Sequence, residues 1–283
     1  MAMDADGNVV FQGQSGSANL SSTPENRLRK NLSHATEGCP PPSFVCGCFA
    51  GLINRETRSK GLEQLRAVFP AAEVRAEPDY TAALYAAPPE TDVLIISGTG
   101  SLVCSRTESG IKKSGGRGYM LGDEGSAYQF GRESLRHFLA HPDRASEALR
   151  SQVETLFNGT EESEIIPQIY KSATPAATLA KLAKAFSMDV RAREPYALAA
   201  LDRHLEQLLD VVTLHVDRHL NPEQPHLDIC LSGGVWKGSP IFKDRFTELA
   251  TARFAPRTLN IHRIARPPLY GAVQLAREMH HGN

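Results

Sequence analysis

The sequence predicts an α/β fold, in which buried strands alternate with helices. Residues 93–96 are four consecutive apolar residues, three of them β-branched, and they run into the turn Gly98-Thr99-Gly100-Ser101. A short apolar run that ends in turn residues is typical of a strand buried on both faces. A second run, residues 227–231, ends in Ser232-Gly233-Gly234. Helical patterns separate these strands, which predicts a mostly parallel sheet covered on both sides.

Composition narrows the class of protein. The chain has 283 residues, 41% of them hydrophobic, and 31 Lys plus Arg against 32 Asp plus Glu. This balance is typical of a soluble globular protein and offers no basic surface for nucleic acid. No apolar run is long enough to cross a bilayer, and the amino terminus does not resemble a signal peptide. Five cysteines, an odd number, indicate free thiols and a cytoplasmic location.

The first ninety residues predict alternating strands and helices and end at Pro88-Pro89, the expected boundary between two lobes. Thr23 is expected to cap the first helix, with Pro24 at its first position. The segments expected after that helix start are a strand at 44–50, a helix at 54–69, a strand at 73–76 and a helix at 81–87.

A possible hairpin near the amino terminus is incomplete in sequence. Asp4 to Asn8 form a turn of the Asp-Gly type, and a strand begins at Val9. A hairpin needs a strand on both sides of its turn, yet only three residues precede this one. Either the first strand lies in residues that this chain does not contain, or the hairpin does not form.

The remaining residues predict one strand after the Gly-Thr-Gly turn, then a long helical region. Apolar residues from Leu201 to Val216 recur at helical spacing and mark one long amphipathic helix. The other expected segments are a strand at 102–106, a glycine- and lysine-rich segment at 110–118, a helix through 139, strands at 227–231 and 259–264, and helices at 240–254 and 269–279.

Three glycine turns are candidate ligand loops: Gly98 to Ser101, Gly115 to Gly118, and Gly233-Gly234. Glycine lets the backbone come close to a ligand, and backbone N–H groups at such turns bind phosphate oxygens. Each turn taken alone is equally well explained as a plain loop. Three of them in one α/β chain favour a nucleotide or phosphate site.

The segments LIISGTGSLV, GGRGYMLGDEGSAYQFGRE and CLSGGVWKG occur in that order, together with FVCGCFAGL and PPLYGAVQLARE. They resemble the N-acetylglucosamine kinases and the wider BadF/BadG/BcrA/BcrD ATPase family, within the actin-like, sugar kinase and Hsp70 superfamily. The resemblance implies an actin-like ATPase, ribonuclease H-like fold of two lobes. The expected lobes are residues 1–88, with the helix at 269–283 packing back on them, and residues 89–268.

The resemblance implies ATP and Mg²⁺ as cofactors. Gly98, Thr99 and Gly100 would contact the ATP phosphates. Gly233 and Gly234 would approach the adenosine, with Lys237 on the following helix.

Asp79 occupies the place of the family's catalytic base, which accepts the proton of the attacking sugar hydroxyl. The alternative, from the residues alone, is a helix cap after Pro78. Asp123 would bind sugar hydroxyls, and its alternative is capping the helix near Gly125. Asn19 would contact the sugar, and its alternative is a turn residue. Four further residues would line the acetamido side of the sugar: Ser101, Gly116, Arg117 and Gly118.

The chain departs from the family pattern in two places. Arg117 stands where related kinases have a tryptophan, which brings the preference for an N-acetyl group into question. The Asp-Gly-Gly-Gly-Thr-Lys-Thr loop that grips the β- and γ-phosphates does not occur, and the first strand of the amino-terminal lobe is expected to be missing with it. Removing one such stabilising element typically costs about 10²–10³ in rate.

The leading hypothesis is an ATP-dependent kinase for the 6-hydroxyl of N-acetylglucosamine, with glucosamine next. A non-catalytic sugar-binding protein is the alternative. An activator ATPase of an iron–sulfur dehydratase ranks last, because it needs paired cluster cysteines and Cys46 and Cys48 are interpreted as core residues. A small sugar is the expected partner, without nucleic acid or membrane, and sugar kinases of this kind are often homodimers.

Overall fold

The computed structural model describes residues 1–281, which form two compact units. Unit 1 comprises Met1–Pro89 and the chain from Ile264 onwards, and unit 2 comprises Glu90–Arg263. Among the described residues no helix has the length and apolar character needed to span a membrane.

The amino-terminal part of unit 1 contains four strands and three helices. They are β1 (Ala2–Met3), β2 (Val9–Phe11), α1 (Glu25–Ala35), β3 (Phe44–Phe49), α2 (Arg55–Val68), β4 (Glu73–Pro78) and α3 (Asp79–Ala86).

The amino-terminal hairpin forms within the residues present. β1 pairs antiparallel with β2, with Met3 opposite Val9, and the Asp4 side chain closes the turn by accepting from the Asn8 N–H at 2.8 Å. The strand before the turn, which was expected to be missing, is therefore present but has only two residues. This hairpin remains a sheet of its own, because β3 and β4 pair parallel in a separate two-stranded sheet.

Helices α1 and α2 pack on an apolar cluster that includes Leu28, Phe49 and Leu65. Asn54 caps α2 by accepting from the Thr57 N–H at 2.9 Å. The expectation that Thr23 caps α1 is wrong, because the helix begins one residue later and Pro24, which has no donor or side-chain acceptor, occupies the capping position.

Unit 2 contains five strands and most of the helices of the described chain. They are β5 (Val93–Ser97), β6 (Ser101–Thr107), β7 (Gly110–Gly115), α4 (Ala127–Ala140), a 3₁₀ turn (Pro142–Arg144), α5 (Glu147–Phe157), α6 (Glu162–Lys171), α7 (Pro175–Ala180), α8 (Ala183–Arg191), α9 (Pro195–His219), β8 (His226–Ser232), α10 (Gly234–Gly238), α11 (Pro240–Phe254) and β9 (Thr258–Arg263).

The sheet of unit 2 has the order β7-β6-β5-β8-β9 and is mixed. β5, β6 and β7 form an antiparallel meander, whereas β5, β8 and β9 are parallel. The expectation of a mostly parallel sheet therefore fails for half of the pairings, because turns of two or three residues can connect only antiparallel strands. The sequence pattern also did not predict β7, because its lysines and glycines show no apolar run or alternation.

The core of unit 2 lies between the sheet and its helices. Phe130, Phe186 and Phe242 pack against one another with ring centroids 4.9–6.3 Å apart. α9 contributes a continuous buried face that includes Leu205, Val212 and Val216.

The chain then returns to unit 1 as α12 (Pro268–His281). α12 packs on α3 so closely that a Cβ on Gly271 would lie 1.9 Å from the Ala82 carbonyl oxygen. Residues 282 and 283 of the predicted final helix lie outside the described residues.

Candidate active site

The Gly-Thr-Gly turn between β5 and β6 is joined to the Gly-Asp-Glu-Gly loop before α4. The Ala127 N–H donates to the Gly98 carbonyl at 2.8 Å, and the Tyr128 N–H donates to the Thr99 carbonyl at 3.3 Å. From the strands, Ser97 Oγ donates to the Gly125 carbonyl at 2.7 Å and Ser101 Oγ to the Glu124 carbonyl at 2.6 Å. Two segments that the sequence separates by about twenty residues thus form one rigid loop pair.

Asp123 is fixed inside this loop pair. Its backbone adopts a positive φ of 63°, and its side chain is buried, with Oδ1 accepting from the Ser101 N–H at 3.2 Å. Gly100 makes room for the carboxylate, because a Cβ there would lie 2.7 Å from Oδ2. Burial raises the pKa of Asp123 above its ordinary value. The carboxylate is therefore held against the turn at the end of β5.

The alternative role of Asp123 as a helix cap is wrong. The residue at the capping position of α4 is Ser126, whose hydroxyl accepts from the Gln129 N–H at 3.4 Å. Asp123 lies three residues earlier, and its carboxylate accepts from the adjacent turn instead.

The second glycine turn lies at the same edge of the sheet as the first. β8 is parallel to β5, so that Ser232 pairs with Ile96 and the two strands end side by side. Gly233 has a φ of 111°, and a Cβ there would lie 2.1 Å from the Ser97 carbonyl oxygen. Only glycine fits this position, where the turn after β8 touches the end of β5.

A cavity of about 390 Å³ opens between the two glycine turns and the helices α7, α8, α10 and α11. Gly98, Thr99 and Gly234 line it on the side of the sheet edge, and Lys181 and Lys184 line the helical side. The volume is in the range of small-molecule sites. Its wall is mostly apolar, with the glycine turns, Lys181 and Lys184 as polar elements that could contact a phosphate group.

Sequence reasoning missed the helical wall of this cavity, which consists mostly of alanines and lysines between residues 177 and 187. Alanine- and lysine-rich segments carry no recognisable motif, so only the tertiary structure shows that these residues line the cavity. Lys237, predicted to accompany the adenosine, is exposed on α10 and is not among the residues that line the cavity.

The third glycine segment follows β7. Gly115, Gly116 and Gly118 all have positive φ values between 62° and 82°, so the chain turns sharply away from the sheet. Arg117 lies exposed within this turn. A Cβ on Gly122 would lie 3.7 Å from the Arg117 Cβ, which places the arginine beside the loop that holds Asp123.

In unit 1, Asp79 is the first residue of α3, directly after β4, and its side chain is exposed. Its Oδ1 accepts from the N–H of its neighbour Tyr80 at 2.9 Å, while Pro78 occupies the capping position. Asp79 therefore does not cap α3, because it is the first helical residue and no side chain accepts a capping hydrogen bond from the first turn.

Asn19 shows the turn role that the sequence allowed. Its Oδ1 accepts from the N–H groups of Ser21 at 2.9 Å and Ser22 at 3.1 Å. These bonds use the carbonyl side of the amide. The predicted contact of Asn19 with sugar stays a prediction.

A second cavity of unit 2, of about 740 Å³, lies between α4, α9 and residues 119–124. Glu133 is its charged centre, with Arg203 Nη2 at 2.8 Å and His204 Nε2 at 3.4 Å. The hydrogen bond with His204, followed by the charges of Arg203 and Arg136, lowers the pKa of Glu133 to about 2. No local sequence pattern indicates this cluster, because its members come from two helices that are far apart in the chain.

Several solved structures share the fold of this chain. A Porphyromonas gingivalis protein assigned as an N-acetylglucosamine kinase matches with a TM-score of 0.73 at 19% identity, covering 95% of this chain and 91% of its own. A Chromobacterium violaceum protein of the same assignment matches with a TM-score of 0.68 at 22% identity, covering 96% and 92%. A ROK hexokinase from Thermus thermophilus matches with a TM-score of 0.51 at 15% identity, covering 92% and 90%.

The chain belongs to the BadF/BadG/BcrA/BcrD ATPase family, which it matches over residues 1–276. It is also similar to the N-acetylmuramic acid/N-acetylglucosamine kinase of Clostridium acetobutylicum, with 22% identity over 284 residues that cover 95% of this chain and 91% of the relative.

Proposed function

We propose that this protein is an ATP-dependent kinase that transfers the γ-phosphoryl group to the 6-hydroxyl of an amino sugar, with N-acetylglucosamine as the leading substrate and glucosamine next. The observation that carries the proposal is the meeting of the two glycine turns, after β5 and after β8, at one lysine-lined cavity beside the buried Asp123. Family membership and the kinase names of similar proteins support it.

The phosphates of ATP would lie on the Gly98-Thr99-Gly100 turn. Thr99 is exposed there and offers its hydroxyl. Gly233 and Gly234 would border the adenosine, with Lys237 nearby. Mg²⁺ would arrive with the nucleotide, since it is usually held by phosphates, waters and one or two carboxylates. The described residues contain no cluster of three or more acidic, histidine or cysteine side chains that would hold a metal by themselves.

Asp123 and Ser101 would bind sugar hydroxyls from the loop pair, together with Asn19 and the backbone of Gly116 and Gly118. Asp79 would accept the proton of the 6-hydroxyl as that oxygen attacks the γ-phosphorus. An exposed carboxylate on the first turn of a helix can take this role, because it is free to reach a hydroxyl group.

Arg117 favours an acidic amino sugar as a further substrate. Arg117 is exposed and its Cβ lies beside the Asp123 loop, so its guanidinium could pair with a substrate carboxylate. The Clostridium relative is named for N-acetylmuramic acid as well as N-acetylglucosamine, and N-acetylmuramic acid carries a lactyl carboxylate. We expect Arg117→Leu to raise the KM for N-acetylmuramic acid at least tenfold with little effect on N-acetylglucosamine. Equal changes for both sugars would remove this role from Arg117.

The direct test is phosphorylation of these sugars by the purified chain with Mg²⁺ and ATP, with the phosphorylated position assigned by ³¹P–¹H NMR. Asp79→Asn is expected to lower kcat by about 10²–10⁴, the usual contribution of a general base. Asp123→Asn is expected to raise the KM for the sugar, because a neutral amide loses half of the acceptor capacity.

Calorimetry distinguishes the rival function. Sugar binding without ATP binding or phosphoryl transfer would support a non-catalytic sugar-binding protein. Equal turnover in the wild type and in Asp79→Asn would exclude Asp79 as the base. Phosphate found at a position other than the 6-hydroxyl would change the proposed site of phosphorylation but leave the proposed kinase activity intact.

A further inference from the structure

Two cysteines of unit 1 lie next to each other on one strand. Cys46 and Cys48 of β3 are separated by Gly47, and their Sγ atoms are 3.9 Å apart. Both side chains are half-buried and free of disulfides, whereas Cys104 and Cys230 are fully buried. The interpretation of Cys46 and Cys48 as core residues therefore holds only in part, because both are half-buried rather than fully buried.

The strand geometry presents both thiols on the same face. In the parallel register with β4, Cys46 lies opposite Arg75 and Cys48 opposite Glu77. Residue 47 points to the other face, where a Cβ would lie 2.8 Å from Leu65 Cδ1. Close packing against Leu65 favours glycine at position 47, and glycine also gives the backbone freedom to bend between the two cysteines.

The distance between the two residues is compatible with a covalent bond. Residues i and i+2 of an extended strand lie about 6.6–6.8 Å apart at their Cα atoms. Disulfides bridge Cα atoms about 4.4–6.8 Å apart. This spacing is at the upper limit, and a disulfide also needs Cβ atoms about 3.5–4.5 Å apart. β3 must therefore bend at Gly47 for the sulfurs to move from 3.9 Å to bonding distance.

The surroundings favour one thiol as the nucleophile. Donation of a hydrogen bond from the Cys48 thiol, with help from the guanidinium groups of Arg75 and Arg58, lowers the pKa of Cys46. The same hydrogen bond, with burial and the carboxylates of Glu77 and Asp79, raises the pKa of Cys48. The carboxylate of Glu77, which opposes the Cys46 thiolate, is itself paired with Arg75 at 2.8 Å and Arg58 at 3.3 Å.

We infer that Cys46 and Cys48 form a peroxide-reactive dithiol that closes a disulfide across Gly47. In the first step the Cys46 thiolate attacks one oxygen of hydrogen peroxide. An S–O bond forms, the O–O bond breaks, and the departing hydroxide takes up a proton to leave as water. In the second step the Cys48 sulfur attacks the Cys46 sulfur, and the expelled hydroxide leaves as water with the Cys48 proton. The two thiols are oxidised by two electrons together, and one peroxide is reduced to two waters.

The disulfide would act on the segments that carry Asp79 and Asn19. Cys48 pairs with Glu77, two residues before Asp79, and the Ala50 carbonyl that follows β3 accepts from the Leu20 N–H at 2.9 Å. A bend of β3 at Gly47 would move both the strand pairing with Glu77 and the hydrogen bond between Ala50 and Leu20. We expect oxidation to lower kinase turnover severalfold and dithiothreitol to restore it. This consequence rests on the proposed function, whereas the thiol chemistry does not.

Mass spectrometry of the full-length protein tests the chemistry directly. After treatment with hydrogen peroxide and then iodoacetamide, the chymotryptic peptide of residues 45–49, which contains Cys46 and Cys48 but not Cys39, is expected to be about 2 Da lighter than the reduced peptide and to carry no alkylation. Dithiothreitol should reverse this change. In Cys48→Ser the second step is blocked, so dimedone should label a sulfenic acid on Cys46. Cys46→Ser should give no comparable label on Cys48.

Cys39, which lies outside β3 and is only half-buried, is the matched control and should remain alkylatable throughout. Alkylation of both Cys46 and Cys48 after peroxide, or a disulfide that involves Cys39 instead, would overturn the inference. A disulfide that forms without any loss of turnover would overturn only its effect on Asp79. Lack of turnover in the reduced protein would count against the proposed function and leave the dithiol result standing.

Discussion

Gly233 and Gly234 are neighbours in sequence but have different constraints. Gly233 has a positive φ, and any Cβ would collide with the Ser97 carbonyl at 2.1 Å. Nothing lies within 4 Å of a Cβ on Gly234. The close approach of the β8 turn to the end of β5 thus depends on one residue, and the neighbouring glycine is a matched control.

We expect Gly233→Ala to destabilise the protein by about 2–4 kcal/mol, from a strained positive φ and a core overlap. It should also weaken ATP binding, because the turn must move away from Ser97. Gly234→Ala should change the free energy of unfolding by less than about 1 kcal/mol. Urea unfolding and calorimetric titration with ATP measure both effects. Similar stabilities for the two variants would show that the turn relaxes without cost.

α9 is tied to the antiparallel part of the sheet by a buried histidine. His215 contacts Ser114 Oγ through Nδ1 at 2.9 Å and Ser105 Oγ through Nε2 at 2.9 Å. Burial, and then the neighbouring His219, lower the pKa of His215 from 6.5 to about 4. The folded protein therefore holds this imidazole neutral, while the unfolded chain protonates it more readily.

This difference predicts a loss of stability in acid. A histidine with a depressed folded-state pKa contributes its full stability above pH 6.5, and the contribution falls as pH decreases from 6.5 towards 4. Linkage predicts a loss of about 2 kcal/mol at pH 5 relative to pH 7 from this residue. His215→Gln, which keeps polar contacts but does not titrate, should show a correspondingly smaller loss. Urea unfolding of both proteins at the two pH values is the measurement, and parallel losses would refute the assignment.

At the scale of the whole molecule, the two units differ in how much core they possess. Unit 2 has a five-stranded sheet and large apolar clusters around α4 and α9. Among the described residues, unit 1 has two separate two-stranded sheets, a smaller cluster that includes Leu20 and Leu52, and further buried apolar residues on α3 such as Leu84. The cavity of about 390 Å³, which we propose binds ATP, is lined entirely by residues of unit 2.

We therefore expect residues 90–263 to fold when produced alone and to bind ATP. Nucleotide at about 100 times its Kd should stabilise the fragment by about 2.7 kcal/mol and raise its Tm by about 5–10 °C. Thermal unfolding followed by circular dichroism, with and without Mg²⁺ and ATP, measures this. The same fragment with Gly233→Ala is the control. A folded fragment whose Tm does not respond to ATP would place part of the nucleotide site outside unit 2.

The amino-acid sequence by itself determined the α/β class, most of the helices and strands, and the glycine turns, because these follow from local periodicity and from the conformational freedom of glycine. The resemblance carried by the GTGS, GDEG and SGG segments added the family, which the match over residues 1–276 confirms. The tertiary structure alone decided the mixed sheet, the strand hidden at Gly110–Gly115, the lysine-lined helical wall of the cavity and the cluster around Glu133. These features depend on contacts between residues that are far apart in the chain, and local sequence patterns contain no information about such contacts.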